Sequence, residues 1–440
     1  MGRRAAGSLT SVDSDGTRGR ERDAPATRRR WTIDLRPLRV PAYRRLWLGN
    51  AVAMYGYQFT AVAVPVQMYA ETRDSFWVGV IGLAALVPLL VFGLWGGAVA
   101  DAVDRRRLVL VGSTVAWLAT LGLLVQAVLR VGGPVLLLAL VAVQSCAFAV
   151  ASPTRAAIVP RLVPTELVPA ANTLNFTTSQ AAGVLGPLTA GVIFASSAIE
   201  LALPISYGID ATLVTVSLWA AFRLPSIRPL DDTGGGVRRA GLRSVVDGLR
   251  YLATTPVLLL SFAIDIIAMV LAMPRALFPE LAEDRFGGGA AIGWLFSAIA
   301  IGSVLGGLTS GWIGRVRRQG LALLVAVVVW GLSVAVAGLA RQLWLLVGLL
   351  ALAGAADLVS AVYRQSILQV YAPDRMRGRL QGVYTVVVAG GPRLGDLRAG
   401  ASASLLGVTA SWVGGGLAAV VSALLLVAVF PALLRYRTAP

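Results

Sequence analysis

Along the 440 residues, long apolar runs alternate with short polar ones. A helix that crosses the hydrocarbon core of a bilayer needs about twenty predominantly apolar residues. Runs of that length fall near 46–70, 77–100, 107–129, 134–152, 169–195 and 201–222. A second set follows near 257–280, 290–313, 320–340, 343–366, 380–405 and 409–434. Most connections are short, and the longest, at about 223–255, separates the two sets. The pattern predicts an all-α membrane protein with twelve transmembrane helices in two groups of six.

Composition agrees. Hydrophobic residues make up 57% of the chain and charged residues 14%, against about 45–50% and 25% in soluble domains. The net charge of +17 would suit a nucleic-acid partner, but its placement does not. Every basic residue is an arginine, and the arginines fall mostly in alternate loops, the pattern of a membrane protein whose basic loops face the cytoplasm. Arg105, Arg106, Arg107, Arg155, Arg161, Arg315, Arg317, Arg318, Arg375, Arg377, Arg379, Arg435 and Arg437 lie on one side, with the N-terminal segment and the central loop. Scattered arginines such as Arg73, Arg130 and Arg341 lie on the other. Both termini are therefore expected in the cytoplasm, and the protein in the cytoplasmic (inner) membrane.

The expected organisation is a basic, disordered tail over 1–40, a six-helix bundle over 41–222, a cytoplasmic loop over 223–255 and a second bundle over 256–440. Within the loop, Leu242, Val245, Val246, Leu249 and Leu252 recur at helical spacing, with Arg239, Arg243 and Arg250 around the turn. This is an amphipathic segment facing lipid phosphates or an ordinary linker helix. With no histidine, any proton chemistry falls to carboxylates. Cys146 stands alone, so there is no internal disulfide and no thiol metal cluster.

The two groups repeat. The segment from Pro153 matches that from Val362 at a spacing of 209, setting Arg155 against Arg364, Ile158 against Ile367 and Pro164 against Pro373. The same offset sets Leu185–Gly191 against Leu394–Gly400. Parallel six-helix repeats resemble the major facilitator superfamily, a resemblance that implies a substrate site between the halves near mid-membrane. The loop after the second run, with Gly97, Asp101, Arg105 and Arg106, is similar to the superfamily's cytoplasmic gate signature. Ala102 and Asp104 depart from it, and the alternative is a basic turn serving topology alone. We group Arg155 with this cytoplasmic cluster. The second-half counterpart keeps Gly307, Gly314 and Arg315 but has Gly311 in place of the aspartate. In the fifth run, Gly186, Pro187 and Gly191 resemble an element of antiporter branches, with Ala190 replacing a glycine; ordinary small-residue packing is the alternative.

Ionisable residues inside spans are costly and so are functional candidates. Asp265 in the seventh run, with no obvious local partner, leads for proton coupling, followed by Asp357 in the tenth and Asp210 in the sixth. The eleventh carries Arg393, Asp396 and Arg398, of which Arg393 and Asp396 are spaced to pair on one face. Tyr57, Gln58, Gln144, Met269 and Arg275 are candidates for contact with substrate.

Three segments, from Leu38, Ala263 and Met376, make nearly the whole chain after about residue 35 resemble the enterobactin-exporter branch of that superfamily. The resemblance implies proton-driven export of a siderophore or related metabolite by a monomer, with a proton gradient and no cofactor as energy source. A broad multidrug exporter of lipophilic compounds is the nearest alternative, and a non-transporting receptor or assembly partner the second. An ATP-driven pump lacks its phosphate loop. An enzyme would need a catalytic or metal constellation that the sequence does not contain.

Overall fold

A computed structural model describes residues 34–102, 104–225 and 242–436. Residues 1–33 of the expected tail and 226–241 of the central loop lie outside the described residues, whereas residues 34–40, expected to be disordered, hold a 3-10 turn, Arg36–Arg39, that buries Pro37. The N-terminal half comprises α1 (Pro41–Thr72), α2 (Ser75–Ala102), α3 (Arg105–Leu129), α4 (Pro134–Leu162), α5 (Val168–Ser196) and α6 (Ile199–Phe222). A shorter helix, α7 (Leu242–Thr254), precedes the second half. That half comprises α8 (Pro256–Ala272), α9 (Phe278–Phe286), α10 (Ala290–Leu308), α11 (Gln319–Leu339), α12 (Leu343–Tyr371), α13 (Asp374–Leu406) and α14 (Val408–Val429), with a final turn α15 (Ala432–Arg435). The described residues contain no strand.

With α8 and α9 counted as one broken span, the described helices give twelve spans. Ten are long and apolar enough to cross a membrane by composition. The other two, α1 and α13, have 32 and 33 residues and are long enough, but they carry more polar side chains. Leu118, Val125, Val192, Leu201, Val336 and Leu425 stand exposed on the outside of the bundle, an arrangement suited to lipid rather than water.

Packing repeats as the sequence does. In the first half α1 packs on α6, α2 on α4, and α3 on both α4 and α6. In the second, α8 packs on α14, α10 on α12, and α11 on both α12 and α14. The halves meet along two related seams, α2 against α13 and α5 against α10. Glycines allow these close approaches. Gly79 and Gly82 lie against the carbonyls of Asp396 and Arg393, where an added Cβ would sit 2.6 Å from either oxygen. At Gly293 the same atom would sit 2.6 Å from the Pro187 carbonyl.

Helix ends follow local chemistry. Arg73 and Arg130, which end α1 and α3, are left-handed at φ 54° and donate their amides to Tyr69 and Gln126. Asp104 caps α3 by accepting the Arg106 amide at 2.8 Å, which accounts for one departure from the gate signature. The seventh span was expected to run unbroken over 257–280. Instead it stops at Ala272 and resumes at Phe278 through a 3-10 turn, Arg275–Leu277. Pro274 lacks an amide donor and holds Met273 extended at ψ 120°.

The amphipathic segment does form a helix. The side chains of Leu242, Val245 and Val246 lie outside the described residues. Tyr251 Oη donates to the Tyr371 carbonyl at 3.0 Å, Asp247 pairs with Arg379 at 3.0 Å, and Leu252 is buried. Helix α7 is thus docked on the start of α13 and belongs to the second half.

Candidate functional site between the halves

The broken seventh span and the polar faces of α1 and α13 converge on a cavity of about 480 Å³ between the halves. From the first half it is lined by Tyr57, Gln58 and Thr60 of α1, Gln144 of α4 and Gln180 of α5. From the second it is lined by Arg275, Phe296, Arg393 and Asp396. Four of the five substrate-contact candidates therefore lie together. The exception is Met269, which is 6% exposed and packs beneath Gly391 and Gly395 of α13. Its helical face was misjudged, because spacing alone does not say which side of α8 faces the cavity. Gln180 was not anticipated; a glutamine on an otherwise small-residue helix was the available signal.

The charge group of α13 splits. Arg393 and Asp396 both line the cavity but do not pair with each other. Arg393 Nη1 donates to its own Ala389 carbonyl at 2.6 Å, and Asp396 Oδ1 accepts the Ala276 amide at 3.2 Å. The break at Pro274 frees that amide to donate to the carboxylate, while Arg393 is turned back onto its own helix. Arg398 points elsewhere. It donates to the carbonyls of Val270 (3.2 Å), Leu271 (2.5 Å) and Ser411 (3.2 Å), satisfying the end of α8 where the broken helix leaves carbonyls unpaired.

Asp265 is not without a partner, contrary to the expectation from its own helix. It forms an ion pair with Arg364 of α12, and both side chains are almost wholly buried, at 3% and 4% exposure. Arg364 Nη2 also lies 3.6 Å from Asp357 Oδ1. Two of the three proton-coupling candidates thus share one cation. Arg364 was legible only as the repeat partner of Arg155, although it lies seven residues, two turns, beyond Asp357 on the same helix face. Asp210 is separate, in the first half, where its Oδ2 accepts the Thr60 hydroxyl at 2.6 Å. It sits against Gly56, where a Cβ would come 2.8 Å from Asp210 Oδ1.

Of the gate signature, Gly97 and Asp101 lie in the final turns of α2, and their side-chain surroundings fall outside the described residues. Arg105 Nη1 reaches the Ala157 carbonyl at 3.3 Å. Arg106 donates to the Phe222 carbonyl at 2.6 Å and stacks over its ring at 5.5 Å, tying α3 to the end of α6. Arg155 lies deeper than this cluster, with Nη2 donating to Ser113 at 2.7 Å. Of the antiporter-like element, Gly186 packs on Gln58 of α1, while Pro187 and Gly191 pack on Gly293 in the α5–α10 seam.

At the end carrying the 72–75 turn, polar contacts also bridge the halves beside the seams. Arg73 pairs with Glu283 at 2.5 Å, and the Ser75 hydroxyl donates to Glu280, both across the halves. The two seams meet the cavity from this end, so the halves are closed together there.

Two repeated membrane bundles around a polar cavity, with buried charges inside the spans, define a secondary transporter that carries a small molecule through the membrane. The chain belongs to the transmembrane secretion effector family of the major facilitator superfamily, whose profile matches residues 32–435. It is 29% identical over 423 residues to the enterobactin exporter EntS of Citrobacter koseri, covering 94% of this chain and 98% of that protein. Identity to EntS of Shigella boydii is 29% over 420 residues, covering 93% and 97%. The fold is similar to that of the nucleoside transporter NupG (TM-score 0.72, 14% identity, 90% of this chain and 99% of that one). It is also similar to a bacterial homologue of the lysosomal transporter Spinster (TM-score 0.71, 16% identity, 92% and 100%).

Proposed function

We propose that the protein exports a siderophore or a related hydrogen-bonding metabolite outward across the cytoplasmic membrane, driven by protons. The observation that carries this reading is the cavity between the halves. Two arginines, one aspartate and three glutamine side chains line it beside Tyr57 and Phe296. Such a wall suits cargo with many oxygen acceptors and aromatic rings better than a lipophilic cation, because Arg275 and Arg393 would repel positive charge. The similarity to proteins named as enterobactin exporters supports the same cargo class.

Orientation follows from the arginine distribution, with both termini in the cytoplasm. The end where the α2–α13 and α5–α10 seams hold the halves together then faces outward, so the cavity opens to the cytoplasm and is ready to load cargo. Opening outward requires both seams to part at that end while the opposite, arginine-rich ends of the halves close. The Asp265–Arg364–Asp357 group supplies the coupling. A proton on either carboxylate weakens its hold on Arg364 and lets α12 shift against α8. The energy source is the proton gradient, without a cofactor, and the working unit is one chain.

The test uses inverted membrane vesicles with an acidified lumen and two labelled compounds, a catecholate siderophore and a lipophilic cationic dye. Siderophore uptake that collapses with the pH gradient supports the proposal. Uptake of the dye alone would move the protein to multidrug efflux. Failure of both in folded protein would favour a receptor or assembly role.

A further inference from the structure

Tyr57, Gln58 and Gln144 line two cavities. Behind them lies a second chamber of about 530 Å³, walled by α1, α3, α4, α5 and α6 and so by the first half alone. Much of its wall is apolar. Phe148 and Phe176 are 54% and 59% exposed, so their rings face open space rather than packed neighbours.

One cation stands in this wall, Arg155. Its guanidinium donates to the Ser113 hydroxyl, and among the described residues no carboxylate pairs with it. The repeat-related Arg364 shows the alternative, since there two carboxylates flank the guanidinium. A guanidinium withdrawn from bulk water without a counter-charge is costly, and water or an incoming anion must make up the difference. At the chamber's inner end Asp210 presents a second polar group. Its Oδ2 is occupied by Thr60, and its buried Oδ1 has no partner. The first half therefore holds a guanidinium and a carboxyl group apart across an aromatic-walled space, whereas the second half joins its own.

We infer that this chamber is a binding site of its own for an aromatic acid, with Arg155 taking the acidic group and the ring lying between Phe148 and Phe176. On the exporter reading, on which only its biological role rests, it is the station where cargo from the cytoplasm binds before passing Gln58 and Gln144 into the central cavity. Guanidinium–carboxylate geometry supplies the selectivity for an anion.

The probes are salicylate and its uncharged amide, which share one aromatic body. A single thiol, Ser152→Cys in a Cys146→Ser background, reports the chamber through its rate of labelling by N-ethylmaleimide in purified full-length protein. Ala300→Cys in the same background reports the central cavity. Salicylate is expected to slow labelling at position 152 at least tenfold, and salicylamide less than twofold. Arg155→Gln removes this protection, and Arg155→Lys retains much of it. Equal protection by both probes, protection that survives Arg155→Gln, or protection at position 300 instead would overturn the inference. If Arg155→Gln does not fold, the contrast between the two probes at position 152 decides alone. The readout needs no transport, so it stands or falls separately from the exporter reading.

Discussion

The buried ion pair between Asp265 and Arg364 makes a strong demand on stability. Asp265→Asn leaves a guanidinium that is 4% exposed beside a neutral amide, with Asp357 at 3.6 Å as its remaining counter-charge. Removing one partner of a buried pair costs about 3–5 kcal/mol. Asp357 is a third exposed and already close, so the lower end of that range applies. For a bundle of this size, about 3 kcal/mol corresponds to a fall in melting temperature of roughly 6–12 °C. Thermal unfolding of purified Asp265→Asn, Arg364→Gln and the double variant forms a cycle that isolates the pair. Each single variant should melt well below the native protein. The double variant should recover most of the loss, since neither side chain then carries a charge that lacks its partner. Additive losses in the double variant would refute the reasoning, because the two groups would then not be acting on each other.

Other predictions follow from the same geometry. Arg398→Met leaves the carbonyls at the end of α8 without donors, so it should lower the melting temperature while leaving the KM for cargo unchanged in the folded fraction. Arg393→Gln removes a cation from the cavity wall and should raise the KM for an anionic cargo by about tenfold, the scale of losing one charge-assisted contact of about 1.5 kcal/mol, while an uncharged cargo is little affected. Gly293→Val places carbon against the Pro187 carbonyl and Gly191, wedging the α5–α10 seam. Thiol labelling near Ser75 should then rise and flux fall. Glu283→Ala removes a partner that is half exposed, and it should shift neither melting temperature nor flux measurably.

The architecture was legible because its causes are local. Twenty-residue apolar runs, arginine-rich alternate loops and a repeat at one register each state a membrane requirement directly. Polar α1 and α13 were also legible, since their length and their place in the two sets of six marked them as spans despite their polar residues. What the sequence hid depends on which face of a helix points where. Asp265 looked solitary because its partner is on α12, far along the chain. Met269 looked available because spacing does not reveal that Gly391 and Gly395 cover it. Arg393 and Asp396 looked paired because i,i+3 spacing permits it, whereas the amide freed at Ala276 takes the carboxylate instead. That last outcome had a signal in Pro274, which could have been read as a break in the seventh span. The division of the first half's interior into a chamber of its own arises from five helices together, and no single segment carries it.

The central claim is that cargo crosses through the cavity between the halves. It is tested most directly by flux of a labelled catecholate into proteoliposomes of the purified protein under an imposed acidic lumen. The comparison is native protein against Ala300→Trp, which fills the cavity beside Gly183 and Gln58. The account predicts gradient-dependent uptake by the native protein, and its loss in a variant that melts at the native temperature. Undiminished uptake through the filled cavity would contradict it.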